Sequence, residues 1–115
     1  TPIETRFALV RYFQRRPSPD ARPILLSAAR REEDPLAVVA CMALSRYPGP
    51  DTMETLKQAL HSKNWYVRRN AAAALAALGA GEAELDELRR SGDRYAGEML
   101  AYMTKLTNQA VEVAG

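Results

Sequence analysis

An internal repeat with a period of about 31 residues is the feature that most constrains the fold of this chain. The segments Pro17–Asp20 (Pro-Ser-Pro-Asp) and Pro48–Asp51 (Pro-Gly-Pro-Asp) match at that offset. The same offset aligns apolar and small residues along the chain: Leu25 with Leu56, Ala28 with Ala59, Ala40 with Ala71, Ala43 with Ala74, Leu44 with Leu75, Leu9 with Ala40 and Phe13 with Leu44. A repeat of this length with helical periodicity in every unit predicts a solenoid of stacked helix pairs.

The unit from residue 49 to residue 80 shows the predicted helix pair most clearly. Asp51, followed three residues later by Glu54, predicts a capping box at the start of the first helix. Asn64 is expected to cap the second helix, Trp65–Leu78, which ends before Gly79. The predicted buried stripes are Met53, Leu56, Ala59 and Leu60 on the first helix, and Val67, Ala71, Ala74, Leu75 and Leu78 on the second.

The same criteria place the other helices and divide the chain into units. The expected helices are Ile3–Arg16, Asp20–Arg31, one starting at Pro35 with Asp34 as its N-cap, Glu82–Arg90 and Asp93–Thr107. The sequence thus predicts an all-α, right-handed α-solenoid of about seven helices in a single domain. Its expected units are a half repeat (1–17), two repeats (18–48 and 49–80), a divergent C-terminal capping repeat (81–107) and a frayed tail (108–115).

Composition is that of a folded protein, with 47% apolar and 26% charged residues. The net charge of +2 is too small to indicate a nucleic-acid partner by itself. Cys41 is the single cysteine, so an intrachain disulfide is excluded and a reducing compartment is favoured. No apolar run approaches the ~18 residues that span a bilayer. We therefore expect a cytoplasmic location without direct membrane insertion.

Residues 64–79, Asn-Trp-Tyr-Val-Arg-Arg-Asn-Ala-Ala-Ala-Ala-Leu-Ala-Ala-Leu-Gly, resemble a known repeat. They are similar to the HEAT-like repeat first associated with phycobilisome lyases, whose second helix reads D-x-x-V-R-x-x-A-A-x-A-L-x-x-L-G. Asn64 stands where Asp is usual in that pattern. In the preceding unit, Ala37 replaces the Arg and Tyr47-Pro48 replaces Leu-Gly.

Residues 93–102 resemble the closing segment of bacterial HEAT-repeat proteins, some of which carry their repeats behind a membrane helix. This resemblance implies that the chain is the C-terminal part of such an array, with residues 81–107 as its cap. It also implies a protein-binding scaffold. Assistance in attaching a bilin to another protein is a further function that the lyase resemblance suggests.

The residue pattern offers no catalytic constellation, which would require a nucleophile–base pair, paired carboxylates or a metal cluster. His61, the only histidine, is expected in the last turn of a helix, where a cation suits the helix dipole. Cys41 is expected as a small buried side chain. The acidic residues Glu82, Glu84, Asp86 and Glu87 are expected to stabilise the start of a helix. We therefore predict a non-enzymatic chain without a metal or cofactor.

Trp65 and Arg69 form the strongest candidate binding site. They lie four residues apart, on the side of their helix away from the predicted buried stripe, and should be neighbours. Trp and Arg are enriched among interface hot spots, and the second helices of such solenoids are expected to line a concave binding face. The candidate surface also includes Tyr66, Val38, Met42, Arg94 and Tyr95.

The alternative for this site is structural. Trp65 would then pack on the loop near Pro35, and Tyr66 would fill a gap between repeats. Arg68 is expected to have a structural role, paired with a carboxylate of a neighbouring loop. Asn64 and Gly79 are also expected to be structural, as the caps of the second helix.

Two functions remain open from the sequence. The first is a scaffold that binds a protein partner on the concave face. The alternative is nucleic-acid binding, in which Arg69 and Arg94 contact phosphates while Trp65 or Tyr95 stacks on bases. The oligomeric state is also open, because the Ile3–Phe7–Val10 face of the first helix lacks a covering helix and could drive dimerisation.

Overall fold

The computed structural model describes residues 2–31 and 35–114. Within them the chain forms seven α-helices and no strand, which confirms the predicted all-α fold. The helices are α1 (Ile3–Arg15), α2 (Arg22–Ala29), α3 (Pro35–Ala43), α4 (Pro50–Ala59), α5 (Trp65–Ala77), α6 (Glu82–Ser91) and α7 (Arg94–Ala114). Short 3-10 turns, Pro19–Ala21 and Leu44–Arg46, precede α2 and follow α3. Asp34, the predicted cap of α3, lies outside the described residues, and the right-handed sense of the solenoid stays a prediction.

The helices form two layers. Helices α1, α3, α5 and α7 pack side by side in one layer, here called the second-helix layer. Helices α2, α4 and α6 form the first-helix layer and pack on α3, α5 and α7 respectively. The shortest dimension of the molecule is 22 Å, which is about twice the width of one helix with its side chains. The architecture is therefore a short stack of helix pairs that shares one continuous core.

Alanines form the contacts within the second-helix layer. Seven of them on α3, α5 and α7 are fully buried: Ala37, Ala40, Ala43, Ala71, Ala72, Ala74 and Ala96. Because an alanine side chain is a single methyl group, helix backbones can approach each other closely at these positions. Larger side chains fill the rest of the core, which includes the fully buried Leu25, Leu44, Leu56, Leu60, Leu75 and Leu100.

The predicted caps of α5 are both present. The Asn64 side-chain oxygen accepts hydrogen bonds from the backbone N–H groups of Tyr66 (2.9 Å) and Val67 (3.4 Å). At the other end, Gly79 has a φ of +91°, which favours glycine. The Ala80 N–H then reaches back to the Leu75 carbonyl at 2.9 Å, as in a Schellman motif.

The capping box predicted from Asp51 and Glu54 is wrong. Helix α4 begins at Pro50, with Gly49 as its N-cap, and no side chain caps it. The Asp51 carboxylate instead accepts a hydrogen bond from the Arg22 guanidinium of the preceding unit at 2.8 Å. Arg22 also donates to Thr52 Oγ1 (2.9 Å) and to the Pro48 carbonyl (2.7 Å). The same Asp51 oxygen also accepts the Thr52 N–H at 2.8 Å, so it combines a charge-assisted contact between units with a local hydrogen bond in the first turn of α4.

Tyr47 completes this junction between the first units. It is buried, and its hydroxyl donates to the Phe13 carbonyl at 2.8 Å and accepts from the Ser18 N–H at 3.2 Å. The Arg22 guanidinium lies 6.0 Å from the centre of its ring. A Cβ on Gly49 would lie only 3.0 Å from Arg22 Nη1, so a glycine is needed beside the cluster. Tyr47, which departs from the repeat pattern, thus joins α1, α2 and α3.

Helix α7 is longer than the sequence suggested. It continues to Ala114, so the frayed tail predicted for residues 108–115 is wrong within the described residues 108–114. Residues 95–114 contain no proline, and Gly97 is the only glycine among them, so no residue after Thr107 interrupts the helix. Because each residue of a helix adds the same rise along its axis, α7 extends well beyond α5.

The alanine contacts generate the first prediction. Replacing Ala71 with leucine should lower the free energy of unfolding by about 1–3 kcal/mol, because no space is available for the added atoms at a fully buried position. Urea denaturation monitored by circular dichroism would measure the change. Ala77→Leu is the matched control, since Ala77 lies on the same helix but is exposed. Equal stability of the two variants would show that the layer is not tightly packed at Ala71.

Candidate protein-binding face

The outward side of α5 carries the residues singled out in the sequence. Tyr66, Arg69 and Ala77 are exposed and Ala73 is half-buried, and they recur at helical spacing. Val67, Ala71 and Leu75, on the opposite side, are buried as predicted. The amphipathic pattern of α5 therefore directs Tyr66 and Arg69 away from the core.

Trp65 and Tyr66 form an exposed aromatic pair. Their ring centres are 5.2 Å apart and the ring planes are perpendicular, which is a favoured edge-to-face arrangement. Trp65 is 49% exposed and Tyr66 is 64% exposed. Tyr66 therefore does not fill a gap between repeats, and about half of the Trp65 surface is available to a partner.

Arg69 makes a different contact from the one expected. Its guanidinium donates to Asn70 Oδ1 at 3.1 Å, while the ring that packs on Trp65 is that of Tyr66. Asn70 in turn donates to the Val38 carbonyl of α3 at 2.8 Å. The expected Trp65–Arg69 contact is thus replaced by two contacts within α5, Arg69–Asn70 and Trp65–Tyr66, while Asn70 connects α5 to α3. Asn70 was not among the predicted site residues, because its role depends on a residue 32 positions earlier.

Val38 and Met42 are half-buried on α3, directly beside α5. The hydrogen bond from Asn70 to the Val38 carbonyl places this part of α3 next to the start of α5. These two side chains supply apolar surface next to Arg69, but less of it than the aromatic residues do.

Helix α7 adds two more exposed aromatic side chains. Tyr95 is 73% exposed and Tyr102 is 56% exposed, and a spacing of seven positions puts them on one side of the helix. Leu106 extends the same stripe. The opposite flank of α7 lines a depression against α6 through Gly97 and Ala101, so the tyrosines lie on the flank away from α6. Tyr102 and Leu106 were not among the predicted surface residues, although their spacing from Tyr95 places all three on one side of a helix.

Arg94 is exposed and forms an ion pair with Glu98 at 2.9 Å, between residues four apart on α7. Its charge is therefore balanced locally.

We define the aromatic face as the exposed or half-exposed side chains of three neighbouring helices in the second-helix layer: Val38, Met42, Trp65, Tyr66, Arg69, Tyr95 and Tyr102.

Behind this face, polar contacts fix the ends of α4, α5 and α7. Arg68 donates to the Ser62 carbonyl at 2.8 Å, so its hydrogen bond goes to a backbone group. Its charge also acts on the carboxylate of Asp93, in the loop before α7, which agrees in part with the predicted pairing with a neighbouring loop carboxylate. His61 Nδ1 lies 2.7 Å from Asp93 Oδ2, which connects the end of α4 to the start of α7. The Ala96 N–H, followed by His61, holds the pKa of Asp93 below its usual value. His61 thus contacts the next helix pair, a contact that the sequence did not indicate.

The described residues contain little that could support catalysis. Burial raises the pKa of the Cys41 thiol to about 12, so this side chain is protonated near neutral pH and is a poor nucleophile. No group of three or more His, Cys, Asp or Glu side chains within residues 2–31 and 35–114 is placed to hold a metal ion. Over the same residues, no helix has both the length and the apolar content needed to cross a membrane.

Comparison with protein families identifies the class of repeat. The family model for HEAT repeats matches residues 36–98, which is more than half of the chain. The chain therefore belongs to the HEAT repeat family. No curated protein and no solved structure gives a significant match. The phycobilisome-lyase type and the C-terminal position in a longer bacterial array stay predictions.

The His61–Asp93 contact generates a prediction about pH. Because the pKa of Asp93 is lowered in the folded state, its ionised form adds stability above the unfolded pKa of about 3.9, and this contribution is lost as pH falls through the folded value. Asp93→Asn keeps an oxygen for the Ala96 N–H but removes the charge. We expect the variant to be less stable than the parent at about pH 6, and equally stable once the pH lies well below the lowered pKa of Asp93 in the folded state.

Urea denaturation across that pH range measures the difference in the free energy of unfolding between the parent and Asp93→Asn. Asp86→Asn, which removes an exposed carboxylate paired with Arg89, serves as the control for general charge effects. If the free energies of unfolding of the parent and of Asp93→Asn still differ at the lowest pH, the electrostatic explanation is contradicted.

Proposed function

We propose that this chain is a non-catalytic scaffold that binds a protein partner through the aromatic face. HEAT repeats generally serve as protein-interaction scaffolds. The observation that carries the proposal is the exposure of Trp65, Tyr66, Tyr95 and Tyr102, each about half exposed or more, on two adjacent helices. Large apolar side chains in one region of a surface are typical of interaction sites.

The chemistry of these side chains suits a protein partner. Tyrosine and tryptophan bury a large apolar area and keep one polar group for a hydrogen bond, so both are enriched at interfaces. Both also have few rotatable bonds, which keeps the entropy cost of ordering them low. The edge-to-face packing of Trp65 on Tyr66 restrains these rings further before any partner binds. Ala73 and Ala77 follow Tyr66 on the outward side of α5 and add little bulk there, leaving room for side chains of the partner.

A concave shape for this face is part of the proposal. The fully buried alanines lie in the second-helix layer, where single methyl groups allow the helices to approach closely. Closer spacing of helices in one layer than in the other bends a solenoid toward the closely spaced layer. The alanines therefore favour curvature toward the aromatic face.

The nucleic-acid alternative has less support at this surface. Its two candidate phosphate ligands are both engaged, Arg69 with Asn70 and Arg94 with Glu98. Glu98 also brings a negative charge onto the same helix as Tyr95 and Tyr102, which would repel phosphate. The aromatic face thus combines large apolar rings with little net charge, which favours a protein partner.

A pull-down from nuclease-treated host lysate tests the proposal. We expect the parent chain to retain a protein that Trp65→Ala/Tyr66→Ala fails to retain, because both partner-facing rings are removed. Tyr95→Ala/Tyr102→Ala should lose the same protein if the two helices act as one face. Retention should change little between about 50 mM and about 300 mM salt, since apolar contacts are insensitive to screening.

Arg90→Ala is the matched control, because Arg90 is exposed on α6 in the first-helix layer. Circular dichroism of each variant separates lost binding from lost folding. The proposal fails if the aromatic variants retain the same proteins as the parent. Material retained only without nuclease and only at low salt would instead support nucleic-acid binding.

A further inference from the structure

The outward side of the second-helix layer extends beyond the aromatic face onto α1. Because every repeat places its second helix in the same orientation, equivalent residues of neighbouring repeats form rows that cross the layer. At the 31-residue offset, two such rows start on α1: Arg11 aligns with Met42 and Ala73, and Arg15 aligns with Arg46 and Ala77. All six side chains are exposed or half-buried, so both rows lie on the open side of the layer.

Helix α7 completes the two rows. The buried residues of α5 and α7 match at a shift of 29 positions: Val67 with Ala96, Ala71 with Leu100 and Ala74 with Met103. The same shift brings Tyr102 level with Ala73, and Leu106 level with Ala77. Tyr102 is 56% exposed and Leu106 is 42% exposed. Each row thus starts at an arginine on α1, crosses an alanine on α5 and ends at a large apolar side chain on α7.

The exposure of Arg11 and Arg15 follows from the repeat and not from the position of α1 in the chain. Ala77, which is equivalent to Arg15, is exposed although α5 has a helix on either side. The two residues equivalent to Arg11 are half-buried in the same layer. A helix pair packed in front of α1 would therefore leave both arginines open.

The edge of α1 that was expected to drive dimerisation is covered at two of its three residues. Val10 is buried and Phe7 is half-buried against the core, while Ile3 is 40% exposed. This edge offers little apolar surface to a second copy, and Arg11 and Arg15 lie on another side of the helix.

We call Arg11, Arg15 and Arg46 the basic end of the rows. In the part of the chain that the structure describes, no carboxylate forms an ion pair with any of these three arginines. The Arg46 guanidinium donates to the Gln14 carbonyl at 3.1 Å, which holds it against α1 next to Arg15. Like charges held together without a counter-charge attract anionic groups.

We propose that the partner binds through a segment that is acidic in one half and apolar or aromatic in the other. This inference rests on the protein-binding function proposed above and specifies the chemistry of the partner. Carboxylates of the segment pair with the basic end, its apolar side chains pack on Tyr102 and Leu106, and the alanines of α5 leave room between them. Helices packed side by side are about 8–10 Å apart, so the distance from α1 to α7 is roughly 25–30 Å, which an extended segment of about eight residues covers.

The division of charge along the rows favours a protein segment over a nucleic acid. A nucleic-acid strand carries a negative charge at each nucleotide, so a strand along the rows would also bring phosphates to Tyr102 and Leu106. Glu98 is exposed on the same helix, one turn before Tyr102, and would repel them. A polypeptide can place its carboxylates in one half only, which matches the surface.

An array of synthetic peptides of about ten residues, probed with the labelled full chain, tests the inference. Each half of a peptide is acidic, basic, uncharged polar, or apolar with aromatic residues, and the array contains every combination in both orders. We expect the strongest binding from peptides with one acidic and one apolar half. Fluorescence anisotropy then measures the dissociation constant of the selected peptide, which should be at least about tenfold lower than that of the same peptide with a basic half in place of the acidic one.

Matched variants locate the binding. Arg11→Glu/Arg15→Glu should weaken the selected peptide at least about tenfold, because its carboxylates then meet like charges. Arg90→Glu/Lys105→Glu changes the net charge equally, at an exposed position of α6 and on the flank of α7 toward α6, and should have a much smaller effect. Tyr102→Ala/Leu106→Ala should also weaken the peptide.

Two controls separate lost binding from lost folding. A peptide with a basic and an apolar half should bind Arg11→Glu/Arg15→Glu more tightly than it binds the parent chain, which an unfolded variant would not do. Circular dichroism checks that each variant keeps its helix content.

The outcomes distinguish this inference from the proposed function. If peptides with an apolar half bind whatever the charge of the other half, and only Tyr102→Ala/Leu106→Ala weakens them, the aromatic face binds protein but the acidic half is refuted. If wholly acidic peptides bind best and only the arginine variant weakens them, the inference and the proposed function are both contradicted. Binding of no peptide class contradicts the inference alone, since the pull-down tests the proposed function independently.

Two further results would assign the surface to another occupant. Tighter binding of single-stranded DNA than of any peptide, lost in Arg11→Glu/Arg15→Glu, would identify a nucleic-acid site. Light scattering that shows a dimer of the parent chain and a monomer of the same variant would assign the rows to a second copy.

Discussion

The close approach of α3, α5 and α7 through buried alanines is the contact on which the rest of the structure depends. Because each of these helices presents single methyl groups to its neighbours, almost no room exists between them for larger side chains. The bulky residues of the same helices must therefore lie elsewhere. Leucines fill the space toward the first-helix layer, and Trp65, Tyr66, Tyr95 and Tyr102 are left on the outside. The packing that stabilises the array thus also creates its aromatic surface.

Local sequence predicted what local interactions determine. The boundaries of α5, its Asn64 cap and its Gly79 end follow from residues within a few positions of each other, and the structure has them as expected. Asp51 shows where this reasoning fails. Its spacing to Glu54 is that of a capping box, yet the guanidinium of Arg22, far earlier in the chain, takes the carboxylate. A single sequence contains no signal for that competition, because Arg22 becomes a neighbour only after the helix pairs have stacked.

The candidate site was predictable to a similar extent. Periodicity put Trp65 and Arg69 on the outer side of α5, and both side chains are exposed. The partners of these side chains were not predictable, since Arg69 depends on the orientation of Asn70, which in turn depends on a backbone carbonyl of α3. Tyr102 was overlooked for a different reason. Residues 81–107 depart from the repeat and were interpreted as a divergent capping repeat, and only Arg94 and Tyr95, at the start of its second helix, were assigned to the candidate surface.

The two junctions between units differ in the kind of polar contact that each one makes. Between α2 and α4, Arg22 makes four hydrogen bonds, two of them to backbone carbonyls, and the Tyr47 hydroxyl contacts α1. Between α4 and the last helix pair, the side-chain contacts are two pairs of charged or titratable groups, Lys57–Glu87 and His61–Asp93, which are about as exposed as Arg22–Asp51. Salt and acid weaken such pairs, whereas the buried packing of α5 against α7 contains no charged group to screen. The ionic conditions around the protein therefore act mainly on how α4 is fixed to the last helix pair, and leave the layer of alanine contacts intact.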